Sequence, residues 1–102
     1  MKKHIDSAIG TGYAQFLTNY GMLKTYLDSI AFTLKQDAVF FDKNDKSAPL
    51  KEMRAGNSIK SINDDYSRCR KLIQQMWIGI NKALDGLETE RSLAQMENEK
   101  GI

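Results

Sequence analysis

Ile59-Lys-Ser-Ile62-Asn-Asp-Asp-Tyr66-Ser-Arg-Cys69-Arg-Lys-Leu-Ile73-Gln-Gln-Met76-Trp-Ile-Gly-Ile80-Asn-Lys-Ala83-Leu-Asp-Gly-Leu87 is the stretch that decides the fold. Its numbered residues are apolar and recur at alternating steps of three and four. A repeat averaging 3.5 residues keeps one stripe of a helix aimed at a partner helix along its whole length. A strand would need period two, which is not found here. The same pattern occurs upstream. Ile9, Tyr13, Phe16, Tyr20, Leu23, Leu27, Ile30 and Leu34 form a second seam with the same alternation.

The intervening residues punctuate the two seams. Asp6 or Ser7 can cap a first helix, although Gly10 and Gly12 weaken its opening turns. That helix is expected over about 7–38. Residues 41–47 form a polar connector. Ser47 followed by Pro49 marks a new helix start, expected over about 48–56. Gly56-Asn57-Ser58 is expected to separate this short helix from the main one over about 58–96, and 97–102 to fray. A short connector makes two long helices antiparallel neighbours. The expected fold is therefore all-α: a long helical hairpin with a short extra helix in the connector, in one domain covering 1–102.

Composition supports long uninterrupted elements, with seven glycines and one proline in 102 residues. A net charge of +2 supplies no global field to recruit nucleic acid or an acidic membrane. A single cysteine, Cys69, rules out an internal disulfide framework. Polar residues such as Gln15, Asn19, Lys24 and Asp28 interrupt any apolar span, so no membrane insertion is expected. A cytoplasmic location is the expectation, with leaderless secretion as the alternative.

The residue inventory points away from catalysis. His4 is the only histidine, so no Ser-His-Asp set, Cys-His pair or Glu-x-x-His metal pair can be assembled. No glycine-rich phosphate loop occurs. The expectation is a non-enzyme without cofactor or metal.

What remains is surface. Leu17, Tyr26, Leu72, Trp77 and Leu84 flank the seams and widen them beyond what one facing helix can cover. They are the candidate residues for self-association into a four-helix or larger bundle. The first helix carries only Lys24 and Asp28 as charges between Asp6 and Leu34, as a covered helix would. Trp77, Phe40 and Phe41 are candidate partner-contact residues, because aromatic side chains dominate interfaces. Leu50 and Met53 are candidates to fold over the Phe40-Phe41 pair. Arg68, Arg70 and Lys71 make a basic cluster able to hold an anion. Asp64-Asp65 and Glu88 with Arg91 read as solvated helical charges and ion pairs.

The function expected from these features is a non-catalytic, self-associating protein that binds a macromolecular partner. Adaptor, regulator or inhibitor are the candidate roles, in a size class that phages and mobile elements often encode. The alternatives are an oligomer that sequesters a phosphate-bearing ligand or RNA, and a leaderless secreted hairpin protein.

Overall fold

A computed structural model describes residues 7–43 and 45–100, and the sequence positions His4 and Asp6 lie outside them. Two α-helices account for nearly all of this, α1 over Ala8–Asp42 and α2 over Ala48–Glu99. They pack against each other as a helical hairpin, and no strand occurs among the described residues.

Ser7 is the first cap. Its Oγ accepts from the Gly10 amide at 3.0 Å, and its carbonyl accepts from Thr11 N–H. One of the amide groups that a helix start leaves unpaired is thereby satisfied, which offsets the weak helix propensity of Gly10 and Gly12. Ser47 repeats the device for α2, accepting from the Leu50 amide at 3.4 Å. Pro49 costs no hydrogen bond in that first turn.

Two expected boundaries are corrected. α1 continues to Asp42 instead of stopping near 38, and the separate helix over 48–56 does not exist. α2 passes through Gly56-Asn57-Ser58 without a break. A helical glycine costs only about 1 kcal/mol, and tertiary bonds on either side outweigh that cost. Arg54 Nε donates to Asp37 Oδ1 at 3.0 Å, and the Ser58 hydroxyl donates to the same carboxylate. Both ties carry α2 through the glycine. At the far end α2 runs to Glu99, three residues beyond the expected end.

The seam is corrected as well. Ile9, Phe16, Leu23 and Ile30 face inward as expected, but alternate positions shift by one residue. Gly12, Asn19, Tyr26 and Thr33 face α2, while Tyr13, Tyr20, Leu27 and Leu34 are exposed. On α2, Ser58, Asp65, Leu72, Gly79 and Gly86 face inward, while Ile59, Tyr66, Ile73 and Leu87 are exposed. Steps of three and four fit either choice. Small residues decide it, because they let the two backbones touch. A Cβ built on Gly12 would lie 2.7 Å from Ala83 N and closer still to Gly79 O.

The chain divides into two compact units. One holds residues 7–20 and 73–100 of the described chain, and the other is Gly21–Leu72. The glycine contacts belong to the first. In the second, Asp65 is 7% exposed, and its carboxylate accepts from Ser29 Oγ at 2.8 Å and Arg68 Nη1 at 3.3 Å. Asp65 was expected on a solvated face, so this too is a correction. Only Asp64 stays outside, paired with Lys60 one helical turn away. Arg91 and Glu88 pair as expected, at 2.6 Å.

Candidate interaction surface

The shift of the seam has a geometric consequence. In an antiparallel pair, the positions just after the seam on both helices fall on the same flank. In the first unit this is visible directly. Tyr13 and Ile80, each one residue past a seam glycine, line one groove of about 350 Å3. Gly12 and Gly79 form its floor, and Ile9, Phe16, Ala83 and Leu84 its walls.

Around this groove the surface is apolar. Tyr13 is 62% exposed and Trp77 57%, with Leu17, Tyr20, Ile73, Leu84 and Leu87 close to half exposed. Phe16, which lines the groove, stacks with the exposed Tyr20 at a ring-centroid separation of 6.1 Å. The second unit carries its own apolar set on α1 and α2, with Leu27, Leu34, Ile59 and Tyr66 all exposed. The inside of the hairpin is poor by comparison. Cys69, at 3% exposed, and Leu72, at 8%, are the buried apolar side chains among the described residues, and none falls below 2%.

These positions sort the candidate contact residues. Leu17, Trp77 and Leu84 lie on the outward apolar flank of the first unit. Tyr26 and Leu72 do not face outward: Leu72 is buried and Tyr26 half-buried, because both occupy seam positions between α1 and α2. Phe40 is half-buried and Phe41 exposed, in edge-to-face contact with centroids 5.0 Å apart. Leu50 and Met53, the candidates to fold over this pair, are themselves 40% and 58% exposed.

The basic cluster is divided. Arg68 and Lys71 line a recess of about 240 Å3 with Met22, Tyr26 and Leu72. Arg68 stacks over Tyr26 at 5.6 Å, and part of its charge is answered by Asp65. Arg70 is elsewhere, over the Tyr66 ring at 5.9 Å. The three cations do not converge on one ligand.

Sequence reasoning missed two residue groups. One is the glycine set at 12, 79 and 86, whose value lies in lacking a side chain. The other is a recess at the hairpin tip of about 190 Å3, lined by Gln36, Val39, Phe40, Lys43, Lys46 and Arg54. Cations close to an aromatic residue were a signal available there.

Cys69 is free and buried. Burial, helped by the nearby Asp65 carboxylate, pushes its thiol pKa above the usual value. That environment suppresses the thiolate and its reactivity.

No helix among the described residues is long and apolar enough to cross a membrane. No protein family, no curated protein and no solved structure matches the chain.

Proposed function

We propose that this protein is a non-catalytic hairpin that works by association, first with a second copy of itself and then, as an assembly, with a macromolecular partner. The observation that carries this reading is the exposed apolar flank beside Tyr13, Tyr20, Ile73 and Trp77. Monomeric proteins rarely leave an apolar patch beyond a few hundred Å2 open to water.

The flank of the first unit is large enough to matter. Seven large side chains near half exposure leave roughly 600–700 Å2 available, taking about 150–250 Å2 for a whole aromatic residue. A standard interface uses about 800 Å2 per partner, and the second unit adds its own apolar set.

A second copy is the favoured occupant because of the thin interior. Ordering a residue costs about 1–2 kcal/mol in backbone entropy. A hairpin in which Cys69 and Leu72 are the buried apolar side chains among the described residues recovers too little of that alone. Whatever covers the flank has to be present whenever the chain folds, and a second copy always is. Pairing two hairpins flank to flank gives a four-helix bundle with the apolar stripes inside.

Size-exclusion chromatography with light scattering tests the reading. The protein is expected to run as a dimer or larger at micromolar concentration, and Trp77→Glu to shift it toward the monomer mass. A wild-type chain that is folded and monomeric at that concentration overturns the proposal.

A further inference from the structure

We propose that the recess at the hairpin tip is a binding site for a small oxyanion of the phosphate type. Every charged residue lining it is a cation: Lys43, Lys46 and Arg54. On a chain whose net charge is only +2, that convergence is local and specific.

The site is partly built before any ligand arrives. Arg54 is fixed on two sides. Its Cζ lies 4.5 Å from the centroid of the Phe40 ring, and its Nε donates to Asp37 at 3.0 Å. Asp37 is itself held by the Ser58 hydroxyl, and together the two donors keep its carboxyl pKa below the usual value. The terminal N–H groups of Arg54 make no hydrogen bond among the described residues. Lys46 reaches the same ring from its own position, with Nζ at 5.3 Å from the centroid. Neither Lys43 nor Lys46 has a carboxylate within ion-pair distance among the described residues.

These features favour an oxyanion over a neutral or cationic ligand. Three like charges gathered on one recess repel each other; of the acids near them in the chain, Asp37 is already engaged on the inner edge of Arg54, and Asp42 and Asp45 form no ion pair with them among the described residues. A tetrahedral anion relieves the repulsion and supplies several acceptor oxygens. The guanidinium fork takes two of them, and the ammonium groups take the others as point charges. The recess shares no lining residue with the exposed apolar set of its own unit, Leu27, Leu34, Ile59 and Tyr66. It also differs from the Arg68–Lys71 recess, where the arginine's charge is partly answered by Asp65.

The test uses inorganic phosphate on the full chain, with sodium chloride at equal ionic strength as the reference. Calorimetric titration is expected to give a saturable isotherm, with half-saturation at roughly millimolar phosphate, the strength of a small site. The double variant Lys43→Gln/Lys46→Gln spares the Arg54–Asp37 bridge and should weaken binding by about tenfold or more. Lys60→Gln/Lys82→Gln makes the same change of net charge away from the tip and should leave binding unaltered. Arg54→Lys keeps the charge but loses the fork, and should also bind more weakly. A response that rises linearly and equally with chloride overturns the proposal. Equal losses in the two double variants overturn it too, since they would mean a net-charge effect alone.

Discussion

Replacing Gly12 by alanine puts the helix contact to a direct test. In an open helical position that change stabilises a protein, by up to about 1 kcal/mol from helix propensity. At Gly12 the new methyl would stand 2.7 Å from Ala83 N and 3.0 Å from Ala83 Cβ, and nearer still to Gly79 O. Two of those atoms are backbone and cannot turn aside. Reaching ordinary contact, which begins at 3.4 Å, requires the helices to part by about 0.7 Å at Ala83 N and by more at Gly79 O. Overpacking of this kind costs typically about 1–3 kcal/mol. The upper end applies here because the obstacle is backbone. Subtracting the propensity gain leaves a net loss of about 2 kcal/mol. Gly79→Ala meets Gly12 O at 2.8 Å and Phe16 N at 3.0 Å, so a similar loss is expected. Gly86→Ala meets Ile9 Cγ1 at 2.8 Å and Ile9 N at 3.0 Å, so it too should destabilise. Gly21 and Gly56 have nothing within 4 Å, and alanine there should stabilise. Urea unfolding followed by circular dichroism, at one fixed protein concentration, gives the order. A Gly12→Ala protein as stable as Gly21→Ala would refute the close approach of the helices.

Asp65→Ala removes the acceptor for Ser29 and Arg68 from a buried seam position. It should lower stability by about 1–3 kcal/mol in the same urea experiment, and a neutral result would mean that water already satisfies these groups. Asp37 predicts an acid limb. Its folded pKa lies below the unfolded value of 3.8, so its stabilising contribution is complete above that value. The contribution is lost as pH falls through the lower folded value, and Ser58→Ala should flatten this loss in acid titrations of melting temperature. Cys69 should react with an aromatic disulfide reagent only slowly in the folded protein and fully in denaturant. Rapid labelling without denaturant would contradict its burial.

The two helices and their 3.5-residue period were legible because periodicity depends only on which residues are apolar. The exact seam was not. Tyr13 and Gly12 are neighbours, and hydrophobicity alone selects the tyrosine. The glycine wins because backbone contact depends on what a residue lacks, which no hydropathy pattern scores. Asp65 was misplaced for a related reason: a buried carboxylate needs Ser29 opposite it, 36 positions away in the chain. Gly56 misled in the other direction, because the bonds of Arg54 and Ser58 to Asp37 are invisible locally. Of the candidate surface, Leu17, Trp77 and Leu84 were readable as flanking apolar residues. The tip recess was not, since Lys43, Lys46 and Arg54 meet only once the connector has turned.

The Ser29–Asp65 bond also acts as a key in a lock of otherwise interchangeable parts. Heptad stripes are nearly self-similar, so one helix can slide along the other by seven residues and still match apolar to apolar. Such a slide would set Asp65 against Met22 in one direction or Gln36 in the other. Against Met22 the carboxylate would lose its hydroxyl donor and keep only Arg68 of its own helix, at a cost of about 1–3 kcal/mol for the lost bond. A hairpin whose core is rich in small and polar residues therefore gives up some cohesion, and in exchange resists the slide toward Met22.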